Sequence, residues 1–312
     1  MLKKRIFSFI QKNGFLFNSH KPSKKPNILL YAIPRSGSTW LMELIWSQPK
    51  FKPINEPLDF RFKINSKKSG ISGFQELYSE NVKDKLVAYF KGFVDGKYHF
   101  KNPNPLRKNS RFFTSRIVFK VIHGGEVFIN DIAKHTNSKI VYLIRNPIAV
   151  ALSRKQLPRT NELTSDFVLS RFTPQEEEYA KQIMRCGTEM EKRIMAWCIQ
   201  NKLALQFKTE DWLIISYEDL TCSPKKALSS LVSQCDLQNL DVMLNNVNIP
   251  SAVTSQSEND SIALMQQDDQ NRRKLIRKWR EKITTQEMKN YFAICKEMNF
   301  EIYSESNDFP ML

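Results

Sequence analysis

The sequence predicts an α/β fold, a single domain with a central parallel sheet flanked by helices. Four short apolar runs of strand type, at 28–34, 116–122, 139–144 and 212–216, alternate with stretches of helical apolar spacing. Gly- or Pro-containing polar segments stand just past the ends of these runs, where parallel sheets bind their ligands. The 312 residues, 41% of them apolar, suit one large domain with a real core.

Residues 1–26 form a basic N-terminal arm ahead of the domain at 27–312. The plain reading of the arm is a frayed segment; the alternative is an amphipathic helix making weak peripheral membrane contact. "ILLYAIP" (28–34) is a strand stopped by its Pro. Trp40, Leu41, Leu44 and Ile45 give a helix over 39–48, with Pro49 beyond it. "FKPINEPLDF" (51–60) is extended, because each Pro biases its predecessor away from helix. Residues 61–115 are rich in Lys, Asn and Phe, with one helical stretch near 74–91, and read as an insertion outside the core. "RIVFKVI" (116–122) and "KIVYLI" (139–144) are strands separated by a helix at 125–135. Asn146 fits an N-cap and Pro147 the first helical position. After a polar stretch at 154–187, Met190, Ile194, Trp197, Cys198 and Leu205 mark an amphipathic helix over 188–208. "WLIIS" (212–216) is the last strand, a helix starts near 224, the Ser/Gln/Asn/Asp-rich stretch 251–271 reads as mobile, and two basic helices close the chain.

Composition narrows the function. No apolar run approaches the ~18–20 residues of a membrane span. The five Cys (186, 198, 222, 235, 295) are odd in number and lack metal-ligand spacing, so reduced thiols in a cytoplasmic protein are expected, with no metal. A net charge of +16 implies attraction to polyanions, yet no nucleic-acid-binding signature accompanies it.

The chemistry concentrates in "PRSGSTWL" (34–41). A loop between a buried strand and a helix points N–H groups at an anion. Arg35, Ser36, Ser38 and Thr39 add donors, and Gly37 lets the backbone come close. Ser and Thr here could instead serve as an ordinary N-cap. The G-x-x-x-x-G-K-[ST] pattern of nucleotide-hydrolysing P-loops is absent.

"PRSGSTWL" resembles the 5′-phosphosulfate loop of sulfotransferases that use 3′-phosphoadenosine 5′-phosphosulfate, PAPS. "YLIRNPIAVALS" (142–153) is similar to their 3′-phosphate motif: a strand-end Arg, an Asx-Pro, and a Ser eight residues on. "SYEDL" followed by Pro224 resembles a third family segment, and "RRKLIRKWR" (272–280) loosely matches their C-terminal basic stretch. The resemblance spans roughly 27–300 and implies a P-loop-NTPase-like sulfotransferase fold with PAPS as donor co-substrate. It assigns donor contacts to Arg35, Ser36, Gly37, Ser38, Thr39 and Trp40 at the 5′ side. Arg145 and Ser153 fall to the 3′-phosphate, Tyr217 to the adenine, and Arg272 and Arg273 to the C-terminal phosphate contact.

The resemblance also implies a base. Glu56 in "NEPL" stands where sulfotransferases of the carbohydrate and protein-tyrosine type carry a Glu, and "EPL" and Arg35 are nearer the carbohydrate branch. The rival is His123, three residues after Lys120, whereas the small-phenol branch spaces its His by two. In a strand only i+2 shares a face, so His123 should point away from Lys120 unless the strand ends first. Lys120 itself is expected to support Arg35 at the bridging oxygen. The expected activity is sulfuryl transfer from PAPS to an acceptor hydroxyl, with a sugar as the favoured acceptor class. Segments 57–115 and 154–187 would shape the acceptor side. A kinase of related fold and a basic nucleic-acid- or surface-binding protein are the rivals.

Overall fold

A computed structural model describes residues 18–100, 111–122, 124–251 and 269–312. Five strands form the main sheet: β2 (Asn27–Ala32), β3 (Phe51–Asn55), β5 (Arg116–Val121), β6 (Ser138–Ile144) and β7 (Leu213–Ser216). Their order across the sheet is β3-β5-β2-β6-β7, and every neighbouring pair is parallel. Two short strands, β1 (Ser19–His20) and β4 (Phe113–Thr114), pair separately. β2 lies in the middle because its six residues are all buried and can be covered on both faces.

Side chains alternate between two apolar layers. Ile28, Leu30, Ala32 and Val118 face helix α1 (Ser38–Trp46) and the helices Pro224–Gln234 and Leu240–Val247. Leu29, Tyr31, Phe119 and Tyr142 face the other layer, with helices α2 (Lys83–Val94), α3 (Pro147–Ser153) and α4 (Glu189–Leu205). Both α3 and α4 begin at side-chain caps. Asn146 accepts from the Ile148 and Ala149 amides, with Pro147 in the first turn, as its sequence position predicts. Thr188 and Glu191 form a reciprocal capping box.

The structure differs from the sequence reading in four places. Segment 51–55, read only as extended, is a sheet strand, and its Pro53 is tolerated because β3 is an edge strand. The stretch placed outside the core contains α2, whose Leu86, Phe90 and Phe93 are completely buried. The rings of Phe90 and Phe93 lie 5.2 and 6.2 Å from that of Phe119 on β5. Residues 154–187, featureless by pattern, hold three helices: Thr160–Leu163, Asp166–Leu169 and Pro174–Cys186. "YEDLTC" is itself a helix, α5 (Tyr217–Cys222), capped by Ser216. The N-terminal arm up to residue 17, most of the stretch read as mobile (252–268), and His123 lie outside the described residues.

Because Phe93 packs on Tyr89, Tyr98, Phe100 and Phe119, its truncation leaves a cavity. Phe93→Ala should lower the free energy of unfolding by ~3–5 kcal/mol in urea denaturation. A loss below ~1 kcal/mol would contradict a core position for α2.

Candidate active site

All five strands of the sheet contribute at their carboxyl ends. The loop after β2 turns on two left-handed residues, Arg35 (φ 75°) and Gly37 (φ 90°). At Gly37 a Cβ would stand 2.7 Å from the Tyr217 ring, so the loop backbone is pressed against that ring and only glycine fits. Gly37 is also the cap residue of α1, and no side chain caps that helix or places an acid in its first turn. Ser36, Ser38 and Thr39 are therefore not spent on capping, which removes the plain N-cap alternative. Ser36 is fully buried and its Oγ has no hydrogen-bond partner.

Arg145, immediately past β6, ties the second part of the site to the first. Its Nη1 donates to the Arg35 carbonyl at 3.1 Å, and its guanidinium carbon stands 4.0 Å from the Tyr217 ring centre. Its Nε is buried without a partner. Ser153, at the end of α3, accepts from Arg35 Nε at 3.0 Å. Arg35 thus joins Arg145 and Ser153 directly, while its side chain leans toward Ser153. The Trp197 indole donates to the Arg145 carbonyl at 3.0 Å. Trp40 meets Tyr217 edge-on at 5.9 Å and donates its indole N–H to the Val247 carbonyl.

A residue absent from the sequence reading holds this arrangement. Glu218, fully enclosed beside Tyr217, accepts from the Asn146 amide at 3.0 Å and from the Tyr303 hydroxyl at 2.7 Å. Burial pushes its carboxyl up to about 7, against the pull of these two donors and of Arg145. The one signal for it was the acid within "SYEDL", which gives no hint of its partner at Asn146.

The third part of the site is a buried ion pair. Lys120, on β5 opposite Leu30 and Asn55, faces the α1 layer. Its Nζ donates to Glu56 Oε1 at 2.7 Å and to Thr39 Oγ1 at 2.8 Å. Lys120 is 2% exposed and Glu56 6%. Burial depresses the pKa of the ammonium, with a smaller contribution from Arg35, while Glu56 and Glu43 oppose it. Glu56 follows the last residue of β3 with φ 58°, a left-handed turn that ends the strand alternation. The next residue is held from α2, where the Tyr89 hydroxyl donates to the Pro57 carbonyl. β5 ends at Val121, so the alternation counted from Lys120 carries no information at position 123.

The two C-terminal arginines separate. Arg272 donates to the Thr221 carbonyl and to Asn248 Oδ1, and lines a small cavity with Trp40, Leu220 and Val247. Arg273 is exposed, its guanidinium 6.0 Å from the Phe309 ring centre. Among the described residues, no group of three or more His, Cys, Asp or Glu side chains is placed to hold a metal.

Comparison with known proteins identifies the lineage. Compared with curated proteins, the chain matches none. Among solved structures, it is similar to the sulfotransferase domain from the curacin biosynthetic pathway, at 16% identity and a TM-score of 0.45, covering 89% of this chain and 99% of that one. Mouse sulfotransferase SULT7A1, solved with PAP, is 14% identical with a TM-score of 0.46, over 93% of this chain and 88% of that one. The sulfotransferase domain of the Synechococcus PCC 7002 olefin synthase is 17% identical with a TM-score of 0.43, over 91% and 98%. The family model described as the sulfotransferase domain matches residues 25–302, nearly the whole length, and the chain accordingly belongs to the sulfotransferase family.

Proposed function

We propose that this sulfotransferase takes its sulfuryl group from PAPS and transfers it to an acceptor hydroxyl, with a sugar as the acceptor class. The observation that carries the donor assignment is a pair of buried, unpartnered donors beside Arg35, the Oγ of the next residue Ser36 and the Nε of Arg145, whose Nη1 donates to the Arg35 carbonyl. Buried polar atoms are rarely left unpaired, and two donors beside an uncapped helix start suit an anion. The chain's residues fit the nucleotide. Ser36, Gly37, Ser38 and Thr39 would hold its 5′ end, Arg145 and Ser153 its 3′-phosphate, and Trp40 and Tyr217 its base. Arg272 is the better placed of the two C-terminal arginines, since it lies beside Trp40.

PAPS, when bound, supplies the sulfuryl group and a phosphate leaving group. Arg35 brings a guanidinium, which acts as a fixed cation for developing negative charge. Glu56 takes the proton of the acceptor hydroxyl, and Lys120 holds that carboxylate in place from one side. Segments 57–115 and 154–187 follow Glu56 and Ser153 directly, which suits walls of an acceptor cleft. A reducing, cytoplasmic setting is proposed from the odd number of cysteines and their lack of metal-ligand spacing.

Binding of the product nucleotide tests the donor site. Adenosine 3′,5′-bisphosphate should bind more tightly than ADP in calorimetry. Arg145→Ala should weaken the bisphosphate by ~1.5–3 kcal/mol, the worth of a hydrogen bond to a charged group, and leave ADP nearly unchanged. Equal affinities for the two nucleotides, both indifferent to Arg145→Ala, would overturn the 3′-phosphate assignment.

The base has its own test. Glu56→Gln should retain bisphosphate binding while turnover falls ~10²–10⁴-fold, the usual worth of general-base catalysis. His123→Ala should cost far less. An inactive His123→Ala beside an active Glu56→Gln would reassign the base and move the chain toward the small-phenol branch.

A further inference from the structure

Next to Ser153 lies an arginine that the reading above leaves unused. Arg154 caps the carboxyl end of α3 and is mostly buried. Its Nη1 is enclosed without a hydrogen-bond partner, and among the described residues no carboxylate pairs with it. Two more arginines converge on it. α4, which carries Arg193, packs on α3 and on the turn Thr160–Leu163, whose preceding residue is Arg159. The Nε of Arg193 is also enclosed and unpartnered, although its Nη2 reaches the exposed Glu189 at 2.8 Å. Arg159 stacks its guanidinium 3.2 Å from the centre of the Phe74 ring. Burial lowers the Arg154 pKa to about 10, and Arg159 and Arg193 lower it further, against a smaller opposing effect of Tyr78.

This cluster adjoins the Glu56 side of the site. Phe74 contacts Phe60 at 5.5 Å, and Phe60 follows Asp59, whose amide bonds to the Glu56 carbonyl. Asp59 is itself committed to Arg61, in a two-pronged pair at 2.8 and 2.7 Å. Glu162 is within electrostatic reach of Arg159. After these pairings Arg154 is the cation left over. A guanidinium kept from water without a counter-ion is costly, and a forked donor suits a planar carboxylate or a sulfate ester.

We propose that Arg154, flanked by Arg159 and Arg193, forms a second anion site that takes an acidic group on the acceptor, a carboxylate or a sulfate ester. The proposal rests on the sulfuryl-transfer reading and narrows its acceptor to acidic sugars. Arg154 is then a specificity residue, since it touches the acceptor away from the reacting hydroxyl.

The test measures binding in protein saturated with adenosine 3′,5′-bisphosphate, which fills the donor site. Two matched probe pairs are used: para-nitrophenyl β-D-glucuronide against the glucoside, and the primary-alcohol sulfate ester of para-nitrophenyl β-D-galactoside against the galactoside. At least one acidic member should bind about ten- to a hundredfold tighter than its neutral twin, the range of one charge-assisted hydrogen bond or two. The pair that does so identifies the acidic group. Arg154→Gln should abolish that preference and Arg154→Lys keep part of it, while the melting temperature does not fall below the wild-type value and bisphosphate affinity is unchanged. Equal binding of each acidic and neutral twin, undetectable binding included, overturns the proposal from the wild-type protein alone. So does a preference that survives Arg154→Gln. If the bisphosphate itself fails to bind, the donor reading falls instead, and the two failures are distinguishable.

Discussion

The site is organised around one ammonium group that the fold has taken out of water. Lys120 sits near the end of a strand flanked on both sides, where an unpaired charge would cost several kcal/mol. Its partners come from two other elements: Glu56 from the turn after β3 and Thr39 from the first turn of α1. One side chain therefore fixes the register between the anion loop and the proposed base. Removing Lys120 alone would leave Glu56 buried against fewer donors. The pair is better regarded as a positioning device than as a source of net stability, because desolvation offsets most of its Coulomb attraction.

A second constraint acts across the loop. Arg145 donates to the Arg35 carbonyl, stacks on Tyr217, and receives support from Trp197 and, through Asn146, from Glu218. Tyr217 in turn presses on Gly37. The ends of β2, β6 and β7 are thus locked to one another before any ligand arrives. Arg35 and Glu56 both have left-handed φ values, a conformation that costs non-glycine residues ~1–2 kcal/mol each. Both residues hold functional positions in the proposed mechanism, and strain of this kind persists where surrounding contacts over-determine the backbone.

Much of this was legible in the sequence because it depends on local order. The loop 34–39, the strand-end Arg145, the Asn146 cap and Tyr217 each follow an apolar run, and parallel topology brings such positions together. Other features were hidden for identifiable reasons. Pro53 disguised β3, since an edge strand tolerates what a central one does not. Lys83, Asp84, Lys85 and Lys91 masked the aromatic stripe of α2, whose period shows only once Tyr89, Phe90 and Phe93 are seen against Phe119. Glu218 and Arg154 were missed because their importance lies in a partner, present at Asn146 and absent at Arg154, and spacing along the chain carries neither fact. The parity expected of His123 depended on the strand continuing past it; β5 stops at Val121 and position 123 lies outside the described residues, so alternation does not assign that side chain.

The group that the loop transfers separates a sulfuryl donor from a phosphoryl one. The loop's uncapped helix start and the unpaired Arg145 Nε suit an anion, and the loop lacks the P-loop Lys; the proposed anion is a sulfated nucleotide with a 3′-phosphate. The direct measurement incubates the purified protein with a panel of neutral and acidic sugars, once with sulfur-labelled PAPS and once with ATP labelled at its terminal phosphate. Label passing from PAPS to a sugar, with none passing from ATP, is the predicted result. Transfer of phosphate label from ATP, with the sulfur label left on its nucleotide, would contradict it.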